Sequence, residues 1–251
     1  MSVEFLERTN GPALAYQRTR GENVGLPTVL FLHGLWSDME GTKAQFLERA
    51  CAKRGQSFIR FDCRGHGKSE GVFEDSTIGD WLDDALYIVD TQTGRDPLIL
   101  VGSSMGGWLS LLVAIARPNR ISALIGLAAA PDFTRNIKKD MTEDQSDELN
   151  RTGRFYLSGR NTDFPCVITQ KLLEEGEGHC LLQGPINIGC PVWLVQGMKD
   201  DSVPWQTAHR IVNAITGADK QVYLQAESDH RLSSIQDLDL LEKLLGDISA
   251  E

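Results

Sequence analysis

The sequence predicts an α/β protein built on a mostly parallel, doubly wound sheet, and three observations carry that prediction. Short continuous apolar runs recur along the 251 residues, as strands covered on both faces require. Segments with apolar residues at three- and four-residue spacing alternate with those runs. One run, at 98–101, leads straight into Gly102-Ser103-Ser104-Met105-Gly106 and then into an apolar helical stretch, so strand, tight turn and helix follow without a gap.

Taken in order, the chain opens with a predicted antiparallel hairpin at 3–8 and 13–18, because the sequence alternates on either side of Asn10-Gly11. Buried strands are predicted at 29–33, 58–61, 98–101, 124–128, 192–196 and 222–224, each a short apolar run. Helices are predicted between them at 41–53, 77–91, 105–117, 205–216 and 234–246, where the apolar spacing changes to three and four. Residues 131–189 break this rhythm. They hold no clean strand pattern and dense charge around Lys138-Lys139-Asp140 and Glu143-Asp144, with helical patches at 147–156 and 168–175. An insertion of that length is too long for a simple loop, so the expectation is one α/β domain over 1–251 with a small cap at 131–189.

Composition narrows the function. Hydrophobic residues make up 41% and charged residues 24%, with a formal net charge of -10 and a pI near 5.0. An acidic chain lacks the basic face that nucleic acids or anionic membranes require. No run reaches the roughly 18 apolar residues of a membrane span. The five cysteines are odd in number and form no C-x-x-C pair, so they read as reduced packing residues, with no structural zinc expected.

The chemistry is concentrated in G-x-S-x-G. A serine on so sharp a turn is forced into a strained backbone that only tiny neighbours tolerate, and Gly102 and Gly106 supply the room. Ser104 would then project from the carboxyl end of the sheet, where ligands of open α/β sheets bind. A serine needs a base, and an elbow of this kind is completed in the chain order serine, acid, histidine. Of His33, His66, His179, His209 and His230, only His230 follows the last strand and precedes the last helix. The acid belongs to the loop after 192–196, where Asp200 and Asp201 compete; Asp132, after the preceding strand, is a third candidate. For the oxyanion hole, the backbone N–H of Met105 follows the nucleophile, and that of Leu35 comes from the loop after the first central strand. Each such donor is worth on the order of 3 kcal/mol toward the tetrahedral intermediate. Trp36 and Met105 would bound an apolar acyl pocket, with plain packing as the alternative for Trp36.

From His33-Gly34 through Ser104 to Asp200 and His230, the whole chain resembles the serine hydrolases of the α/β-hydrolase superfamily. Within it, Ser37-Asp38-Met39-Glu40-Gly41-Thr42-Lys43-Ala44, Phe61-Asp62-Cys63-Arg64-Gly65-His66-Gly67, Gly102-Ser103-Ser104-Met105-Gly106-Gly107-Trp108 and Asp229-His230-Arg231-Leu232-Ser233 are similar to the abhydrolase subgroup of palmitoyl-protein thioesterases and acyl-glucuronide esterases. The resemblance implies the α/β-hydrolase fold and hydrolysis of acyl esters or acyl thioesters without metal or organic cofactor. The family spacing G-x-x-D-x-x-V-P, here from Gly197 to Pro204, selects Asp200 as the acid. The substrate is then a small or acylated molecule. The chain start carries acids early and shows neither a signal nor a transit pattern, so the expected location is cytoplasmic. Two other readings stand beside this one. A serine aminopeptidase would need Glu174-Glu175 or Glu143-Asp144 to bind a substrate ammonium, and a non-catalytic binding module could keep the fold without the activity.

Overall fold

The computed structural model describes residues 2–157 and 166–249. The hairpin forms as expected, with β1 (Glu4–Leu6) antiparallel to β2 (Leu14–Thr19). Five buried residues make β3 (Thr28–Leu32), and α1 (Thr42–Lys53) leads to β4 (Phe58–Phe61). α2 (Ile78–Gln92) starts at a capping box in which the Thr77 side chain accepts from the Asp80 N–H and the Asp80 carboxylate accepts from the Thr77 N–H. Then follow β5 (Leu98–Ser103), α3 (Met105–Ala116) and β6 (Ile121–Leu127).

After β6 come α4 (Phe133–Asp140), α5 (Glu143–Thr152), β7 (Arg154–Leu157), β8 (Cys166–Thr169), α6 (Gln170–Gly176) and β9 (Ile186–Asn187). The chain returns to the main sheet with β10 (Val192–Gly197), then α7 (Gln206–Ala214), β11 (Ile215–Thr216), β12 (Lys220–Gln225) and α8 (Ile235–Ile248).

Among the described residues the main sheet runs β1-β2-β4-β3-β5-β6-β10-β12. The pairs from β4 to β12 are all parallel, while β1 with β2 and β2 with β4 are antiparallel. Side chains alternate across it. Leu30, Leu32, Leu98 and Leu100 face one core with Trp81 and Trp108, while Val29, Phe31, Ile99 and Val101 face the other with Leu47 and Leu245. Burial on both faces is why these strands read as unbroken apolar runs. The chain leaves β3 toward β4 on one side and β5 toward β6 on the other. The crevice between the carboxyl ends of β3 and β5 is therefore the topological switch point. No helix among the described residues is long and apolar enough to cross a membrane.

The segment expected to lack strands contains them. β7 pairs antiparallel with β8, and β9 pairs parallel with β11. The expected helix at 147–156 stops at Thr152, because Gly153 takes a left-handed φ of 75° and caps it. The expected helix at 168–175 starts two residues late, since Thr169 accepts from the Leu172 N–H as an N-cap while Ile168 stays in β8. The last two residues of the helix expected at 205–216 are β11 instead. Four-residue strands beside glycine and threonine caps are too short for periodicity to separate from a helical turn. Residues 158–165 of the expected cap lie outside the described residues.

Packing at the elbow is tight. A Cβ on Gly106 would stand 2.1 Å from the Leu32 carbonyl oxygen and 2.6 Å from that of His33. Both are backbone atoms, so relief means moving β3 away from α3. Gly106→Ala should therefore cost about 3 kcal/mol or more in urea denaturation, while Gly178→Ala, whose Cβ meets open space, should be close to neutral. Equal midpoints for the two variants would refute this account of the elbow.

Candidate active site

Ser104 sits between β5 and α3 with φ 54° and ψ -115°. A non-glycine residue there stores strain of about 1–3 kcal/mol, tolerated only where the surroundings hold it. They do so on both sides: the Ser104 N–H donates to the Leu127 carbonyl at 2.9 Å, and its carbonyl accepts from the Ala130 N–H at 3.1 Å. The turn lifts the Ser104 hydroxyl clear of the sheet.

His230 and Asp200 complete one row with it. His230 Nε2 lies 3.1 Å from Ser104 Oγ, and His230 Nδ1 lies 2.8 Å from Asp200 Oδ2. The loop carrying His230 leaves β12 and is tied back before α8: the Lys199 N–H donates to the Ser228 carbonyl at 3.0 Å, and Ser228 Oγ bonds Asp237. Asp200 follows β10, and its side chain is fully buried. Its Oδ1 accepts from the N–H groups of Ser202 at 2.9 Å and Val203 at 2.7 Å, while Gln196 Nε2 donates to Oδ2 at 2.8 Å. Burial by itself would raise the Asp200 pKa. The hydrogen bond and charge of His230, with the Val203 and Ser202 N–H groups, outweigh it and hold the carboxyl below its ordinary value.

Among the described hydrogen bonds, neither competing acid meets His230. Asp201 is exposed and accepts from Ser202 Oγ. Asp132 is buried, and its two oxygens accept the N–H groups of Leu181 at 2.7 Å and Leu182 at 2.9 Å, so it pins the segment before β9. The remaining histidines are structural in their contacts. His179 Nε2 meets Glu175 at 2.6 Å, and His209 packs its ring on Trp205. His33 and His66 stack at 4.8 Å beneath the loop after β3. His33 Nε2 accepts from the Cys63 N–H at 3.0 Å, which puts its proton on Nδ1, donated to the Gly34 carbonyl at 2.8 Å. Burial lowers the pKa of both, that of His66 to about 3.

That bond to Gly34 bears on Leu35. The Gly34 carbonyl and the Leu35 N–H share one peptide plane and point opposite ways, and that plane is fixed by His33 Nδ1 at 2.8 Å and the Ser37 N–H at 3.1 Å, both on the Gly34 oxygen. The loop passes close to Ser104, since a Cβ on Gly34 would stand 3.3 Å from Ser104 Cβ. Met105 follows Ser104 as the first residue of α3.

Two cavities open from Ser104 and His230. One, of about 260 Å³, is walled by Met105, Phe133, Ile137, Met141, Leu157 and Val203. The other, of about 710 Å³, is walled by polar groups such as Ser37, Asp38, Lys43, Lys199, Asp229 and Ser233. Leu35 and Trp36 border both. Trp36 also lies 6.2 Å from Phe73 ring to ring and carries a positive φ of 55°, so packing and cavity wall coincide in one side chain. The apolar wall from α4 and β7 was invisible in the sequence because the segment is dominated by charge. Gln196, which holds Asp200, is a polar residue in the apolar run of β10, and its burial there is satisfied by that bond.

Comparison with known proteins places this geometry among relatives. The family model described as alpha/beta hydrolase fold matches residues 27–165. The mouse protein named palmitoyl-protein thioesterase ABHD10, mitochondrial, is 40% identical over 248 residues, covering 98% of this chain and 82% of the relative. The solved structure of mouse alpha/beta hydrolase domain-containing protein 10 superposes with a TM-score of 0.91 at 39% identity, over 99% of this chain and 98% of that one. A solved structure from Agrobacterium vitis S4 gives a TM-score of 0.93 at 33% identity, over 99% and 100%. These names correct the expected cytoplasmic location, since the bovine, mouse and human relatives are each named mitochondrial. The expectation rested on the composition of the first residues alone, which does not fix a cellular address.

Proposed function

The chain belongs to the alpha/beta-hydrolase fold family, and from that membership we propose that it is a serine hydrolase cleaving acyl esters and acyl thioesters through an acyl-enzyme on Ser104. The observation that carries the assignment of residues is the row Ser104 Oγ to His230 Nε2 at 3.1 Å and His230 Nδ1 to Asp200 Oδ2 at 2.8 Å.

His230 Nε2 takes the hydroxyl proton as Ser104 Oγ attacks the carbonyl carbon. Asp200 keeps the imidazole in the tautomer with its proton on Nδ1 and stabilises the imidazolium that forms. The N–H groups of Leu35 and Met105 receive the developing oxyanion. Collapse breaks the bond to the leaving oxygen or sulfur, which departs with the proton from His230. Water, deprotonated by the same nitrogen, then releases the acid and restores Ser104.

The two cavities divide the substrate. The acyl chain lies along Met105, Phe133, Ile137 and Met141, and the leaving group lies on the polar side. Within the expected cap, α4 and Leu157 of β7 wall the acyl side. Trp36 stands at the junction. The relatives named as palmitoyl-protein thioesterases support an acyl thioester as one substrate class. Among the described residues, neither Glu174-Glu175 nor Glu143-Asp144 lines either cavity, and Glu175 is engaged by the Gly79 N–H and His179, so the carboxylates that the aminopeptidase reading called on stand away from Ser104.

The test is kcat/KM on matched oxyesters and thioesters of rising acyl length, with Ser104→Ala as the blank. A cavity of about 260 Å³ holds roughly nine groups of water size at ~30 Å³ each. Each buried methylene is worth up to ~0.8 kcal/mol, or roughly three- to fourfold. The expected profile climbs with each methylene to about eight to ten carbons and then flattens. A profile falling from acetyl onward would reject the acyl assignment of this cavity.

A further inference from the structure

Two sequence strings, 37–44 ahead of and into α1 and 229–233 around His230, meet in space through residues that the reaction itself does not use. Lys43 lies in the first turn of α1, and its Nζ donates to the carbonyl oxygen of Arg231, the residue directly after His230. That stretch needs holding. Leu232 has a positive φ of 46° with its side chain buried in the core, a conformation an isolated leucine avoids. Within the loop, Ser233 Oγ donates to the same Arg231 oxygen at 2.9 Å, and the Arg231 N–H donates to Asp229 at 2.9 Å. Ahead of His230 the ties come from Lys199 and Asp237. Lys43 ties the other side, from α1, across the polar cavity that reaches Ser104.

We propose that Lys43 is a positioning residue for His230: by gripping the Arg231 carbonyl it sets the loop so that Nε2 faces Ser104 Oγ. The inference rests on His230 being the base. Lys43 touches no reacting atom; it acts through the backbone that carries the imidazole. A misplacement of about 1 Å at a reacting group can cost ~100-fold, so a single backbone grip next to the base is enough to matter.

The charge environment supports a specific pH signature. Burial lowers the Lys43 pKa to about 8, opposed by Asp229 and Asp237, while Arg231 lowers it further. Asp38, Lys199, Asp201 and His230 line the same cavity. As pH rises through about 8 the ammonium becomes an amine, and its bond to the carbonyl loses the charge-assisted part. Stability moves the opposite way. The folded value lies below the ordinary 10.5, so the unfolded chain binds the proton more tightly and the charged side chain opposes folding at neutral pH. Removing it should leave the unfolding temperature unchanged or higher while activity falls.

The experiment compares wild type, Lys43→Met and Lys43→Arg on a p-nitrophenyl ester of a short acid, with Ser104→Ala as the blank. Lys43→Met is expected to lose about 10- to 100-fold in kcat with KM little changed. Lys43→Arg is expected to restore most of it, and to keep its activity above pH 8 where wild type declines. Lys43→Met unfolding below the assay temperature would itself contradict the stability sign, and Lys43→Gln then carries the kinetic comparison. A Lys43→Met kcat within about twofold of wild type overturns the proposal, as does a Lys43→Arg loss equal to that of Lys43→Met. Wild type turning over no faster than Ser104→Ala would instead overturn the hydrolase reading beneath it.

Discussion

Ser104→Ala is expected to lose on the order of 10⁶-fold in kcat while unfolding at an unchanged or slightly higher temperature. On the proposed mechanism the loss follows from removing the atom that forms the acyl bond. What survives is binding and the oxyanion donors of Leu35 and Met105, which act without the hydroxyl and leave a residual rate above water. The stability follows from the backbone: Ser104 holds φ 54° through its N–H to Leu127 and its carbonyl to Ala130, and neither bond involves Oγ. Ser103→Ala is the matched control. Ser103 is one residue away, ends β5 and lies on the polar cavity, yet it should keep most of its activity because the elbow lifts only one hydroxyl toward His230. A fluorophosphonate should label wild type and Ser103→Ala and spare Ser104→Ala. Equal losses in the two variants would mean that the register of the elbow is misread, and labelling of Ser104→Ala would move the nucleophile elsewhere.

Elements buried on both faces were legible in the sequence because their environment imposes one demand at every position. β5 is apolar up to the residues where the turn needs glycine, and the runs of β3 and β10 end in the same way. The loops that bring Ser104, Asp200 and His230 together were legible from the serine, acid, histidine order of such elbows, while the choice of Asp200 over Asp201 came from the family spacing from Gly197 to Pro204. Distance was not legible, nor were the supporting contacts. Gln196 and Lys43 act through partners 4 and 188 residues away, and local periodicity carries no information about such pairs. The stretch from α4 to β9 failed for a different reason. Its strands are two to four residues long, β7 buries Phe155 but exposes Tyr156, and its helices end at caps rather than at changes of pattern. Elements so short draw their stability from what they pack against, here α4 on α6, α5 on β7, β7 on β8 and β9 on β11. The part of the chain that shapes the acyl cavity is thus the part whose own sequence says least about its conformation.

Asp200→Asn is expected to lower kcat by about 10⁴-fold while Asp201→Asn stays close to wild type. The reason is the tautomer. Asp200 Oδ2 accepts the His230 Nδ1 proton, which leaves Nε2 free to take the proton of Ser104. An asparagine amide placed by the N–H groups of Ser202 and Val203, which require an acceptor at Oδ1, turns its NH₂ toward His230. Nδ1 must then accept, the ring proton moves to Nε2, and the base faces Ser104 already protonated. The same NH₂ meets the donor Nε2 of Gln196, so stability falls as well. Asp201, exposed and bonded only locally to Ser202, has no part in either effect. The acid side of the stability curve gives an independent reading. The folded Asp200 pKa lies below its ordinary 3.8, so its contribution is full above that value and is lost as pH falls toward the folded pKa. Urea denaturation of wild type from pH 6 downward should therefore show stability declining below about pH 4, with the slope shallower in Asp200→Asn. A pH slope that the substitution leaves unchanged would mean that Asp200 is not held ionised by His230. A larger kinetic loss in Asp201→Asn would reassign the acid.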